Sequence, residues 1–370
     1  MIVGCPKEIK NNENRVGLSP VGVDSLKRAG HEVIVQKGAG LGSGITDEEY
    51  VAAGATMIAD AKEVWAKSDM IIKVKEPLDY EPDVLHEGQI LYTYLHLAPL
   101  PELTDKLLKS KAVCVAYETV QEADRSLPLL APMSEIAGRL ATQIGAHFLE
   151  KRQGGRGVLL GGVTGTEKGK VLVIGAGVVG TESAKVAVGM GAEVTVVDIN
   201  IKRLAYLRDI FGNSLKTIYS TPKAIAEAAK EADLVIGAVL IPGAKAPKLL
   251  TEEMVKGMLP GSVIVDVAID QGGCIETSET TSHDTPVKEK HGVLHYGVPN
   301  MPGAVARTST YALTNATLRY MLDIANKGID QAVRENEALK KGVNVYKGKI
   351  TYKAVADDQG KEYVDIDTLL

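Results

Sequence analysis

The chain has 370 residues, with 42 Lys and Arg against 47 Asp and Glu, a formal charge of −5 and 45% apolar residues. That length is a prior of about two domains, and the balance excludes a disordered tail, a collagen-like repeat and a small disulfide scaffold. There is no basic stripe and no block of like charge, so nucleic acid is not an expected partner.

The three cysteines, Cys5, Cys114 and Cys274, are far apart and build no zinc spacing. A reducing compartment is the expectation. Met1–Glu8 shows no basic stretch followed by an apolar one, and no apolar run reaches the ~18 residues of a membrane helix. A cytoplasmic protein with no membrane partner is expected. Gly is abundant at 38 residues while aromatics are only 4%. An interior of Val, Ile, Leu and Ala suits strands buried on both faces of a parallel sheet.

Aliphatic runs alternate with helical patterns along the whole chain, the mark of a parallel α/β fold. In the first third, strands are expected at Ile2–Cys5, Glu32–Gln36, Met70–Val74, Gln89–Leu95 and Ala112–Tyr117. Helices are expected between them at Pro20–Ala29, Asp47–Gly54, Ala61–Lys67 and Pro101–Lys109. Ser134–Arg152 reads as one long helix, and Gly154–Gly169 as a loop. A second series follows, with strands at Val171–Ile174, Glu193–Asp198, Lys216–Tyr219, Leu234–Val239, Val263–Ile269 and Val293–Tyr296. Its helices are expected at Val178–Gly189, Pro222–Glu231 and Thr251–Met258, followed by a long one at Ala304–Lys327. Val343–Val345 and Ile350–Tyr352 flank Lys347-Gly348-Lys349 in a hairpin pattern.

Gly175-Ala176-Gly177-Val178-Val179-Gly180 is a G-x-G-x-x-G that ends an aliphatic strand and opens a helix. Gly175 permits the tight turn, Gly177 lets backbone approach a pyrophosphate, and Gly180 lets helix and strand pack closely. The helix N-terminus then offers unpaired N–H groups to the anion. Asp198 ends the following strand, where a carboxylate bonds ribose hydroxyls and repels the 2′-phosphate of NADP. NAD is therefore the expected cofactor, although Lys202 and Arg203 stand nearby.

In open α/β sheets ligands bind beyond the carboxyl ends of strands. Polar residues at those ends are Lys75, His96 and Asp270, with Arg15 in the loop after the first strand. A lone Lys or Asp at a strand end is as often a solvated charge, and Arg15 could simply bridge to Glu13 or Glu8. As a set they suit a small 2-amino or 2-hydroxy acid: Arg for a carboxylate, Lys for a carbonyl, His for a proton, Asp for charge balance. The fold class is α/β, two Rossmann-like doubly wound domains with the second inserted into the first. Residues 1–130 and 306–370 are expected to form the substrate domain and residues 131–305 the NAD-binding domain, with the chemistry in the cleft between them.

With Met1–Lys10, Asn14–Pro20, Lys73–Pro77, Tyr94–Ala98, Met133–Arg139, Val267–Gly273 and Val298–Gly303 added to the Gly-rich turn, the chain resembles the alanine dehydrogenase family over essentially its whole length. The resemblance implies NAD-dependent, reversible oxidative deamination of L-alanine to pyruvate and ammonium. It implies that Arg15 and Lys75 bind substrate, and that His96 and Asp270 are catalytic. It further implies cofactor contacts from Ser134, Val178, Arg203, Ser220, Val239, Leu240, Ile269, Asp270, Asn300 and Met301, besides the glycines and Asp198. A homohexamer is implied, with Ser134–Arg152 and Ala304–Lys327 as candidate interface helices. Some members hold magnesium with a Glu at the position of Glu118 and a His; Lys327 stands at that His position here, so no metal is expected. The alternative is the peripheral NAD-binding subunit of a proton-translocating transhydrogenase, similar in fold and opening sequence. That subunit carries an Arg-containing loop where this chain has Met133-Ser134-Glu135-Ile136.

Overall fold

The computed structural model describes residues 1–239 and 246–370. They divide into two compact units, one of Met1–Met133 with Gly303–Leu370 and one of Ser134–Pro302. In chain order the strands are β1 (Ile2–Cys5), β2 (Glu32–Gln36), β3 (Thr56–Ile58), β4 (Met70–Ile72), β5 (Ile90–Thr93) and β6 (Val113–Ala116). The second unit holds β7 (Lys170–Ile174), β8 (Glu193–Asp198), β9 (Leu215–Tyr219), β10 (Leu234–Gly237), β11 (Val263–Asp266), β12 (Val287–Lys290) and β13 (Val293–Tyr296). β14 (Val343–Tyr346) and β15 (Lys349–Ile350) return the chain to the first unit.

Among the described residues, the first sheet has the order β15-β14-β6-β5-β4-β1-β2-β3. β1 to β6 run parallel, and β14 and β15 are added antiparallel at one edge. The order 3-2-1-4-5-6 is the doubly wound one, and its switch point lies between β1 and β4. The parallel strands are fully buried at Val3, Cys5, Met70, Ile71, Ile72 and Leu91, as expected where helices cover both faces. Trp65, Ile71, Leu91, Leu107, Cys114 and Val345 share one core beneath this sheet.

The second sheet has the order β12-β13-β11-β10-β7-β8-β9, parallel except for β12. Its switch point lies between β7 and β10. Helices begin where their sequences provide caps. Ser19 precedes Pro20–Arg28, Thr221 precedes Pro222–Glu231, and Thr46 with Glu49 closes a capping box on Asp47–Ala52. The hairpin turn places Lys347 at φ +48° and Gly348 at φ +74°, the pair of left-handed residues a two-residue turn of this hand needs.

Several elements differ from expectation. The run Val263–Ile269 is apolar throughout, but the strand stops at Asp266, and Ile269–Gln271 forms a 3-10 turn. Asp270 is therefore four residues past the strand end, and the buried carboxylate at that end is Asp266. Likewise β4 stops at Ile72 rather than Val74, and the long helix is Ala131–Phe148 rather than Ser134–Arg152. The short β3, the charged edge strand β12, and the helices Ile201–Phe211, Ile329–Glu335, Glu337–Gly342 and Lys353–Gln359 were not anticipated.

Candidate functional site

The first unit gathers an unusual density of charge around its switch point. Arg15 is buried, donating from Nε to Glu13 Oε1 at 2.7 Å and from Nη2 to Glu13 Oε2 at 2.6 Å. Of the two bridges open to it, Arg15 takes the one to Glu13. Burial works against its charge, but the Glu13 carboxylate outweighs burial and holds the guanidinium charged. Its Nη1 reaches Met133 Sδ at 3.2 Å.

Two lysines sit two residues apart and experience opposite environments. Lys73 is fully buried but donates to Glu81 at 2.8 Å and Glu8 at 3.2 Å. Burial would lower its pKa; the two carboxylates reverse that and raise it. Lys75 is half-buried, and among the described residues its ammonium has no hydrogen bond or ion pair. Burial, then Arg15, then Lys10, press its pKa below the ordinary lysine value. Lys10 itself is paired with Glu76. The unit thus assembles four cations, three of them matched to carboxylates and the fourth, Lys75, left beside Arg15.

His96 follows β5 and is exposed, with a left-handed backbone at φ +48°. Its ring lies 5.8 Å from the ring of Tyr94, centroid to centroid. Tyr94 is buried, donates to Leu129 O at 2.5 Å, and is close enough to Arg15 to sense its charge. Arg15, Lys75 and His96 are in this way brought to one end of the first sheet. Lys73, Glu81 and Tyr94, which support them, were missed by sequence reasoning, whereas Glu13 was one of the two partners it offered for Arg15.

In the second unit, Gly175 takes φ +106° at the end of β7. A Cβ there would meet Ala238 O at 2.8 Å and Val239 Cγ2 at 3.0 Å, so the turn and Val239 lie together at the switch point. A Cβ on Gly180 would overlap the carbonyl oxygen of Gly175, whereas one on Gly177 would meet nothing within 4 Å. Gly180 is thus needed by the protein's own packing, and Gly177 leaves open room of the kind a pyrophosphate needs. The helix Val178–Gly189 starts after Gly177 with no side-chain cap. Its first N–H groups are the anion-binding feature of the motif.

Asp198 accepts the Ala176 N–H at 2.6 Å and the Asn200 N–H at 2.7 Å, tying the end of β8 to the Gly-rich turn. Ser220 N–H donates to Asp198 O at 3.0 Å, which places Ser220 alongside. Arg203 donates from Nε to Ala176 O at 2.9 Å and from Nη2 to Thr181 Oγ1 at 3.0 Å. It braces the turn. Ser134 lies one helical turn before Gly138, whose Cβ position would overlap Val179 O, so Ser134 shares the face that meets the dinucleotide helix.

Asp270 is exposed and accepts the Asn300 N–H at 3.1 Å, bringing two of the expected residues together. Asn300 has φ +54°, and Ile269 and Met301 beside them are buried. Leu240 lies outside the described residues. Cys274 is buried 3.8 Å from Asp266 Oδ1, and burial raises its thiol pKa strongly, so it is a packed thiol. Lys327 is ion-paired with Asp323 and Glu335, at 3.1 and 3.0 Å. Among the described residues no group of three or more His, Cys, Asp or Glu could hold a metal ion.

Replacing Gly180 with Ala is expected to weaken NADH binding by about tenfold or more, since overpacking of this kind costs ~1–3 kcal/mol. A fluorescence titration with NADH measures this, and unchanged affinity would count against the packing role given to Gly180.

One doubly wound unit carries a Gly-rich turn of the dinucleotide-binding kind, and the other gathers Arg15, Lys75 and His96 at one end of its sheet, the arrangement of a nucleotide-dependent oxidoreductase. Residues 4–137 match the family described as alanine dehydrogenase/PNT, N-terminal domain, and residues 141–353 match its C-terminal domain. The chain belongs to the alanine dehydrogenase/PNT family. It is 64% identical to an alanine dehydrogenase of Methanococcus maripaludis, with all of both chains covered. It is 60% identical to the alanine dehydrogenase of Bacillus subtilis, covering all of this chain and 98% of the other. A solved L-alanine dehydrogenase superposes with a TM-score of 0.94 at 54% identity, covering 97% of this chain and 99% of that one. A transhydrogenase from Sinorhizobium meliloti matches less closely, with a TM-score of 0.83 at 28% identity over 95% of this chain and 100% of that one.

Proposed function

We propose that the protein catalyses the reversible, NAD-dependent oxidative deamination of L-alanine to pyruvate and ammonium. The observation that carries this reading is the ammonium of Lys75, held beside Arg15 with no carboxylate of its own among the described residues. Such a site lacks one negative charge, and the carboxylate of a 2-amino or 2-oxo acid supplies it.

The residues of the second unit fit NAD. Gly177 leaves the space a pyrophosphate requires, and Asp198 stands where ribose hydroxyls are bonded and a 2′-phosphate is repelled. Ser134, Gly175, Val178, Gly180, Ser220, Val239, Ile269, Asp270, Asn300 and Met301 would line it, with Arg203 holding the turn. When bound, NAD supplies the acceptor for the hydride from the substrate Cα.

Arg15, oriented by Glu13, and Lys75 take the substrate carboxylate and the C2 substituent. Oxidation of alanine at Cα leaves iminopyruvate, which needs water at C2. His96 takes a proton from that water and returns one to the departing amine. Asp270 offers negative charge to the iminium nitrogen. Water, alanine and NAD+ give pyruvate, ammonium, NADH and one proton, so atoms and charge balance.

Residues 1–130 and 306–370 serve substrate, and residues 131–305 serve NAD. The working form is a cytoplasmic homohexamer whose subunits meet through the long helices Ala131–Phe148 and Ala306–Lys327. Consistent with this, no helix among the described residues is long and apolar enough to cross a membrane.

The test is NADH formation by purified protein over a panel of amino acids, with NAD and NADP compared. L-Alanine with NAD is expected to be the best pair. Serine and 2-aminobutyrate should be turned over more slowly, because one methylene is worth only ~1–3 kcal/mol to a pocket. No activity on any amino acid, with hydride exchange seen only beside a membrane partner, would favour the transhydrogenase reading.

A further inference from the structure

Two glutamates do work that the reaction above does not use. Glu118 lies just past β6, in the 3-10 turn Tyr117–Thr119. Its Oε1 accepts the His96 N–H at 2.6 Å and the Leu95 N–H at 3.2 Å. Its Oε2 lies 3.3 Å from the same Leu95 nitrogen. Among the described residues no cation pairs with it.

Glu8 repeats the device past β1. Its Oε1 accepts the Val74 N–H at 2.6 Å and the Lys75 N–H at 3.3 Å. The sheet order β6-β5-β4-β1 puts the two glutamates on opposite sides of the β5–β4 pair. Each gathers two consecutive N–H groups where the adjacent strand has just ended. In each case the second N–H belongs to a site residue, His96 or Lys75.

We infer that Glu118 is a positioning residue for His96, fixing the backbone from which the imidazole works, as Glu8 does for Lys75. The need is clearest at His96. Its φ of +48° is a conformation that non-glycine residues keep only where surrounding bonds over-determine it. Its ring makes no hydrogen bond among the described residues and rests on Tyr94 alone. The direction of the imidazole is therefore set by the backbone, and the backbone is set by one charged acceptor. Hydrogen bonds to a carboxylate are roughly twice as strong as neutral ones, which suits a group held against strain.

This inference rests on the reading of His96 as the acid/base, and the experiment separates the two. Steady-state kinetics are measured with pyruvate, ammonium and NADH for Glu118→Ala, Glu118→Gln, His96→Ala and the double variant Glu118→Ala/His96→Ala. Glu118→Ala is expected to lower kcat about tenfold or more, with KM for pyruvate and Kd for NADH within about twofold. Glu118→Gln keeps an acceptor oxygen at the same reach and should recover kcat to within about threefold of the parent. Because Glu118 acts through His96, the double variant should be no slower than His96→Ala. Additive losses in the double variant, an unchanged kcat in Glu118→Ala, or a Gln variant as slow as Ala would each overturn the inference. If Glu118→Ala does not fold, Glu118→Asp, equally charged but too short to reach both N–H groups, carries the same prediction and the same refutation. Near-normal turnover in His96→Ala would instead refute the acid/base reading itself.

Discussion

Replacing His96 with Ala is expected to lower turnover by about 10²-fold or more, the usual worth of a general acid/base. NADH affinity should stay within about twofold, because the residues proposed to hold NAD lie in the second unit, whereas His96 belongs to the first. The binding of pyruvate should also survive, since Arg15 and Lys75 are fixed by Glu13 and Glu8 rather than by the imidazole. The expected signature is thus a fall in kcat with little change in KM. Stopped-flow measurement of a single turnover would place the loss in the chemical step. Near-normal turnover would remove His96 from the mechanism.

Replacing Lys75 with Met is expected to cost about 10²–10³-fold in kcat/KM for pyruvate, the range seen when one charged or oxyanion-type donor is removed. Folding should be affected little, because Lys75 leaves no carboxylate stranded when it goes. Lys73→Met would differ, leaving Glu8 and Glu81 buried together without their cation. The pH dependence follows from the same contrast. In the proposed role Lys75 holds a carboxylate only when protonated, so pyruvate affinity is expected to fall as pH rises through its pKa. Burial, Arg15 and Lys10 lower that pKa, so the loss begins below the ordinary lysine range, and binding there takes up a proton. Lys75→Arg should remove this alkaline limb. An alkaline limb that persists in the Arg variant would assign the titration to another group.

The parts of the fold visible in sequence were those with a strong period or a strong punctuation mark. Ile2–Cys5, Glu32–Gln36 and Glu193–Asp198 are aliphatic runs between turn residues, and the helix Val178–Gly189 opens at a Gly-rich turn; all four appear at their expected bounds. β3 has only three residues and begins on Thr56, too short for a period to show. β12 reads Val-Lys-Glu-Lys because it is an edge strand, where charge discourages further pairing, so its hydrophobic signal is absent for a physical reason. The end of β11 was hidden because Val267, Ala268 and Ile269 continue the apolar run after the ladder stops.

The site shows the same division. Lys75 and His96 were findable because each directly follows an aliphatic run. Their supports were not, because they act across the sheet. Glu8 is 65 residues from Lys73 in sequence, and Glu118 is 22 from His96. Nothing local marks either as the acceptor for a neighbouring strand's backbone. Arg15 and Glu13, only two residues apart, were legible as a possible pair, but their burial was not.

The most direct test of the proposed reaction follows the transferred atom. Purified protein is given NAD and L-alanine carrying deuterium at Cα, and the reduced nucleotide is examined by mass spectrometry. Direct transfer predicts one deuterium in each NADH formed, with pyruvate and ammonium released in equal amounts. Unlabelled NADH, or no NADH at all from L-alanine, would contradict it.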